Sequence, residues 1–270
     1  MEKKLQELIK DQFKGLSLTQ KDEMKLAASS GCSLLEVQAV AMDLGVVPLR
    51  YQRNLESLTL AEQRRLLQSR VTVVGCGGLG GLVLEELARI GVGQISAWDY
   101  DCFEEHNLNR QFMSQADIIG FSKVEAAAHR VHSVNPGIVF NGIKRKFTAD
   151  EGRESLQDQQ VVVDALDSAQ ARLGLSQACR DQGIPLVHGA VNGWYGQVAT
   201  QFPGDFTIEQ LYLGRTPGEE DQSALVFAAA MVASWQVSEV IKIILNKGNF
   251  LRQKIMLIDM LSLSLDIIDF

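Results

Sequence analysis

The stretch that most constrains this chain is residues 70–101, RVTVVGCGGLGGLVLEELARIGVGQISAWDYD. Val71, Val73 and Val74 form a short β-branched run closed by glycine, the pattern of a strand buried on both faces of a parallel sheet. Gly75, Gly77, Gly78 and Gly80 come next as a G-x-G-G-x-G turn. Without Cβ atoms such a turn lets phosphate oxygens approach backbone N–H groups, and the next helix presents its partial positive end to the anion. Leu82, Leu84, Leu87 and Ile90 give that helix an apolar face, Gly91 and Gly93 end it, and a second strand from Gln94 to Trp98 leads into Asp99. An acid about 20 residues past the glycines, at the end of the second strand, is placed to hold ribose hydroxyls. The stretch predicts a nucleotide site and leaves the nucleotide open.

The residues beyond Asp101 bear on the choice of nucleotide. Glu105-His106-Asn107-Leu108-Asn109-Arg110-Gln111 comes soon after the ribose acid, and Lys123 closes Gly120-Phe121-Ser122-Lys123. A triphosphate needs cations and amide donors around its β and γ groups. A nicotinamide-dependent oxidoreductase has little need of them there, and a solvated basic loop is the remaining reading. Val161 to Ser168 is a second centre, a buried strand whose carboxyl end carries Asp164 and Asp167. In open parallel sheets ligands bind at that edge.

These motifs, with Arg50-Tyr51-Gln52-Arg53 ahead of them and Asp99-Tyr100-Asp101 between them, resemble the ubiquitin-activating-enzyme-like adenylyltransferases of the ThiF/MoeB/HesA group, over about Arg50 to Phe270. The resemblance implies a Rossmann-like mixed α/β sheet, largely parallel with an antiparallel continuation. It implies activation of the C-terminal glycine carboxylate of a small ubiquitin-fold sulfur carrier, of the ThiS or MoaD kind and ending in Gly-Gly, as an acyl-adenylate made from ATP with magnesium. The pathway, whether thiamin, molybdenum or tungsten cofactor or another sulfur route, stays open. An ATP-dependent tRNA-nucleoside dehydratase of the same superfamily is the alternative.

Carried over position by position, the resemblance implies a catalytic set of Arg53, Arg110, Lys123 and Asp167, with Asp167 on magnesium. The nucleotide-binding set is Gly75, Gly77, Gly78, Gly80, Asp99, Asp101, His106, Asn107, Arg110, Gln111, Lys123, Asp167 and Ser168. The arginine at the Arg53 position reaches the ATP phosphates of a partner subunit in the family, which implies a homodimer. Many relatives carry paired C-x-x-C motifs for a structural zinc. Cys32, Cys76, Cys102 and Cys179 form none, so no structural zinc is expected.

Composition bounds the alternatives. With 270 residues, 46% of them hydrophobic, the chain can bury one large core. A formal charge of -7 argues against DNA, because duplex binding depends on neutralising phosphates. The charged N-terminus has no signal core, and the apolar run from Ala224 to Ala233 is too short to cross a bilayer. The expectation is a cytoplasmic protein that does not engage membranes.

Residues 1–49 read as a small helical extension, with Leu5, Leu8, Ile9 and Phe13 on one stripe, Leu34, Val37, Val40 and Leu44 on another, and Ser33 as an N-cap; residues 50–270 form the ATP-binding domain. His129 and His132 lie three apart on the helix after Lys123 and read as solvated. Arg172 reads either as holding the substrate tail or as a surface salt bridge, and Trp194-Tyr195 either as flanking a channel for that tail or as packing. Phe206 to Gln222 reads as an irregular crossover loop without a thiol. Cys76, at a helix N-terminus, is expected to have a lowered pKa.

Overall fold

A computed structural model of the chain describes residues 1–13, 15, 17–212 and 223–270. Ten helices are described: α1 (Glu2–Gln12), α2 (Gln20–Ser30), α3 (Leu34–Asp43), α4 (Leu60–Leu67), α5 (Gly78–Ile90), α6 (Lys123–Val134), α7 (Ala149–Leu156), α8 (Ala169–Gln182), α9 (Thr207–Tyr212) and α10 (Val226–Leu245). The described strands are β1 (Ser17–Leu18), β2 (Val47–Pro48), β3 (Arg70–Val74), β4 (Gln94–Trp98), β5 (Val139–Ile143), β6 (Val161–Asp164), β7 (Leu186–Asn192), β8 (Tyr195–Gln201), β9 (Lys254–Asp259) and β10 (Ser264–Asp269).

The main sheet runs β10-β9-β8-β7-β6-β3-β4-β5. From β5 to β7 every pair is parallel, and β7-β8, β8-β9 and β9-β10 are antiparallel. The mixed sheet expected from the sequence is the one observed. Its strand order reverses at β3, which has β4 on one side and β6 on the other. That reversal opens a crevice at the carboxyl ends of β3 and β6, where open α/β sheets bind ligands.

Alternation along β3 builds both layers. Val71 and Val73 join α5, α6 and α10 in the larger core, while Val74 joins α8 and α9 through Leu175, Ala178, Ile208 and Tyr212. Burying each Leu or Val side chain contributes roughly 1.5–3 kcal/mol, so the doubly covered strands anchor the crevice. Helix α10 is long and apolar enough by composition to cross a membrane. It lies instead against the sheet, with Gln236 and Glu239 fully buried; Gln236 donates to the Asp164 carbonyl at 2.8 Å and Glu239 accepts from Thr200 at 2.8 Å.

In the extension, Ser33 caps α3 through a reciprocal bond with Glu36, as its sequence predicts. The two-residue parallel pair of β1 with β2 has no signal in the sequence pattern. A buried chain ties this extension to the main body: Gln38 Nε2 donates to Glu23 at 2.9 Å, Tyr51 contacts Gln38, and Asn135 donates to Tyr51 at 2.8 Å.

The structure corrects the expected crossover loop. Phe206 to Gln222 is not irregular at its start, because residues 207–212 form α9, with Ile208 and Tyr212 buried against α8. The thiol-free Gly214 to Glu220 stretch lies outside the described residues.

Candidate nucleotide site

The glycines of the turn do two different jobs. Gly75 has φ +100°, and a Cβ there would come within 2.5 Å of the Ala165 carbonyl oxygen; a Cβ on Gly80 would meet the Gly75 carbonyl oxygen at 1.8 Å. These two let the turn fold onto itself and onto the end of β6. Gly77 and Gly78 are not crowded by the protein, their nearest neighbours being Gln111 at 3.6 Å and the Arg110 carbonyl at 3.5 Å. Helix α5 starts there without a side-chain cap, unlike α2, α3, α4 and α8. First-turn N–H groups without a side-chain cap suit an anion.

Asp99, 8% exposed, braces this turn. Its Oδ2 accepts from the Cys76 N–H at 2.6 Å and its Oδ1 from the Asp101 N–H at 2.8 Å. Burial pushes its carboxyl above the ordinary aspartate range, against the pull of those backbone bonds. Each oxygen keeps a second lone pair for a ribose hydroxyl. Asp101, half exposed, pairs with the buried Lys123 ammonium at 3.0 Å, and Lys123 opens α6.

In the adjoining loop, Asn107 is buried and accepts from the Glu104 N–H at 3.0 Å, which closes the turn. His106 is exposed beside Glu104, and Arg110 folds back onto the His106 carbonyl and Asn109. Gln111 is buried beside Gly77, and its Oε1 has no hydrogen-bond partner among the described residues. An orphaned buried amide is costly to leave unmet, so it marks where a polar ligand fits.

At the end of β6, Ser168 caps α8 by accepting from the Ala171 N–H at 3.3 Å. Asp167 is exposed and makes no hydrogen bond or ion pair among the described residues, whereas Asp164 is fully buried. Nucleotide-bound magnesium needs only one or two protein carboxylates, and Asp167 fits that requirement. Arg53 is not brought to this crevice. Its side chain is 90% exposed and pairs with Glu56 of its own turn at 2.9 Å.

The structure corrects one further expectation. Burial, then the Asp99 charge, pushes the Cys76 thiol well above its ordinary range, so the helix N-terminus does not activate it. Arg172 is buried and donates to the Leu166 carbonyl at 2.8 Å and to Tyr212. His129 and His132 are exposed, and no group of three potential metal ligands exists among the described residues. Trp194 rests on Phe227, with ring centroids 4.8 Å apart, and Tyr195 lines a cavity of about 350 Å³ with Ala190, Asn192, Gln197 and Asp266. Sequence reasoning missed His188, which is fully buried and meets Asp164 at 2.7 Å.

The ThiF family model matches residues 51–269. The chain belongs to the ThiF family. Among curated relatives of this ThiF-family chain, a SAMP-activating enzyme E1 of Haloferax volcanii is 32% identical over 82% of the chain and 84% of that protein. A sulfur carrier protein ThiS adenylyltransferase of Bacillus subtilis is 32% identical over 67% of the chain and 56% of its own length. A molybdopterin-synthase adenylyltransferase of Haemophilus influenzae is 29% identical over 80% of the chain and 92% of its own length. The crystal structure of E. coli MccB with ATP superposes with a TM-score of 0.69 at 18% identity, over 92% of the chain and 82% of that structure, a likeness of fold.

Proposed function

We propose that the chain uses ATP and magnesium to adenylate the C-terminal glycine carboxylate of a small ubiquitin-fold sulfur-carrier protein. The observation that carries this reading is the contact of two centres: the glycine turn that suits phosphates rests on Ala165, two residues before the exposed Asp167. Relatives named for activating or adenylating sulfur carriers and the SAMP protein support it.

A terminal carboxylate has a pKa of about 3.5 and is ionised at neutral pH, so attack on the α-phosphorus needs no general base. Catalysis then rests on position and charge. The α5 N–H groups hold phosphate oxygens, Asp99 orients the ribose, and Lys123 exchanges Asp101 for a phosphate. Arg110 leaves its two carbonyl-type acceptors to meet the departing pyrophosphate. Asp167 would hold the magnesium, which supplies neutralisation of phosphate charge when bound. The cavity along Ala190, Asn192, Tyr195 and Gln197, about 350 Å³, is our candidate seat for the glycine tail.

The same reading includes a homodimer in which Arg53 serves the partner's site. It is supported by the exposure of Arg53 and by the apolar row Phe227, Met231 and Trp235 on the outer side of α10, each at least 36% exposed. Residues 1–49 are taken as an appendage to the catalytic unit 50–270. We place the reaction in the cytoplasm, where four free thiols stay reduced.

The test is ATP–pyrophosphate exchange with and without a carrier ending in Gly-Gly. Exchange that needs the carrier and falls on the order of 100-fold in Asp167→Asn supports the proposal. Exchange stimulated by tRNA, or calorimetric binding of NADH in place of ATP, overturns it.

A further inference from the structure

Behind Asp167 lies a closed circuit of buried hydrogen bonds. Asp164 Oδ2 meets His188 Nδ1 at 2.7 Å, and His188 Nε2 meets the Tyr212 hydroxyl at 3.2 Å and Gln197 Nε2 at 3.0 Å. The Tyr212 hydroxyl accepts from Arg172 Nη1 and from Gln197 at 3.1 Å. Arg172 returns the circuit to its start, donating through Nε and Nη2 to the Leu166 carbonyl at 3.1 and 2.8 Å, while the Leu166 N–H donates to Asp164 Oδ1 at 3.0 Å. Asp164 and His188 are fully buried, and Arg172 and Tyr212 are at most 3% exposed. With His188 Nδ1–H donating to the Asp164 carboxylate, Nε2 is the acceptor, and its single lone pair is shared between the Tyr212 hydroxyl and Gln197 Nε2.

Both backbone groups of Leu166 are therefore held by this circuit, one by Asp164 and one by Arg172. Asp167 is the next residue, and Ser168 after it is fixed as the cap of α8. The residues flanking the exposed acid are locked, while the acid itself has no hydrogen-bond or ion-pair partner among the described residues. Burying a carboxylate, a guanidinium, an imidazole and a phenol together costs desolvation that well-packed apolar side chains would avoid, so stability alone is a poor account of the arrangement. Its distinctive product is the geometry at Leu166.

We propose that His188 and Tyr212 are positioning residues for Asp167, acting through the Leu166 peptide to hold the 165–168 turn in the shape that presents the acid to nucleotide-bound metal. The inference rests on the adenylation reading of the site and names what supports its metal-binding acid. It predicts that loosening the circuit weakens metal capture and leaves metal-free nucleotide binding as it was.

The test uses the full chain with a non-hydrolysable ATP analogue and manganese as the probe. Manganese affinity of the protein–nucleotide complex is measured by electron paramagnetic resonance, nucleotide affinity in chelator by calorimetry, and melting by circular dichroism. Tyr212→Phe removes one oxygen, and His188→Asn keeps a donor near the Nδ1 position. We expect Tyr212→Phe to weaken manganese binding about tenfold, the range seen when a partner behind a metal ligand is lost, with His188→Asn partly preserving it. Tyr212→Phe added to Asp167→Asn should then have no further effect on manganese. Unchanged manganese affinity in Tyr212→Phe, with a lowered melting temperature, overturns the proposal, as does full additivity with Asp167→Asn. If His188→Asn fails to fold, Tyr212→Phe decides alone. A parent protein that binds the nucleotide but no manganese refutes the metal role of Asp167, and the positioning role with it; a parent that binds both, beside unaffected variants, refutes the positioning role only.

Discussion

A Cβ on Gly75 would lie 2.5 Å from the carbonyl oxygen of Ala165, so the glycine turn and the turn after β6 are in direct contact. Gly75 also sits at φ +100°, where an L side chain is strained by about 1–3 kcal/mol. Gly75→Ala should therefore lower the melting temperature and abolish ATP binding together. Gly77→Ala differs, since its Cβ meets Gln111 only at 3.6 Å and its φ is -79°. That variant should lose less melting temperature than Gly75→Ala and still lose nucleotide affinity by calorimetry, because it adds a methyl group to the residue that leads into the α5 N–H groups. A normal affinity in Gly77→Ala would place the nucleotide elsewhere.

Glu23 links the extension to the body and supplies a pH prediction. Burial raises its pKa above the ordinary 4.5, with Gln38 and Arg50 opposing. A carboxyl raised in the folded state holds its proton more tightly there, so its contribution is full below the unfolded value and is lost as pH rises through the folded one. Glu23→Gln removes that loss. The melting temperature of the variant minus that of the parent should grow as pH rises from about 4.5 through the raised value and stay flat above it. A flat difference across the whole range would contradict the assignment.

Much of this architecture is legible in the sequence because local patterns and the sheet agree. The Val71 to Val74 run, the glycines and the apolar spacing of α5 specify strand, turn and helix without tertiary information, and β4 spans the expected Gln94 to Trp98. Helix α9 is hidden because six residues carry too little periodicity, and its burial comes from α8. His188 is hidden for a different reason. It reads as one polar letter in an apolar strand, and its meaning depends on the β6–β7 register that sets Asp164 opposite it. The position of Asp99 is legible, but its bond to the Cys76 N–H is not, since 23 residues separate the partners.

Arg53 gives a test of subunit sharing. It is exposed and pairs only with Glu56 among the described residues, so its loss should cost less than about 1 kcal/mol of stability. Arg53→Ala and Asp167→Asn proteins should each be inactive in exchange, and mixing them should restore part of the activity, because some mixed dimers hold one intact site. No recovery in subunits shown to exchange would contradict action across an interface.

Thiol chemistry should be dispensable. Cys76 and Cys179 are buried with their thiols pushed up by burial, Cys32 is buried, and Cys102 is exposed. Under native conditions an alkylating reagent should modify Cys102 ahead of the other three by peptide mass. A variant with all four cysteines replaced by serine or alanine should keep carrier-dependent exchange, and the parent should form no thioester by intact mass. A carrier thioester lost with one particular cysteine would contradict this.

The central claim is transfer of AMP to a terminal carboxylate, and the label in ATP reads it most directly. The protein is incubated with magnesium, a carrier ending in Gly-Gly and ATP labelled at the α-phosphorus or, separately, at the γ-phosphorus, and the carrier is isolated under acid. The account predicts α-label on the carrier, none from γ-labelled ATP, release of that γ-label as pyrophosphate, and no transfer to a carrier lacking its last glycine. Label from the γ-phosphate on the carrier, or α-label that is indifferent to the terminal glycine, would contradict it.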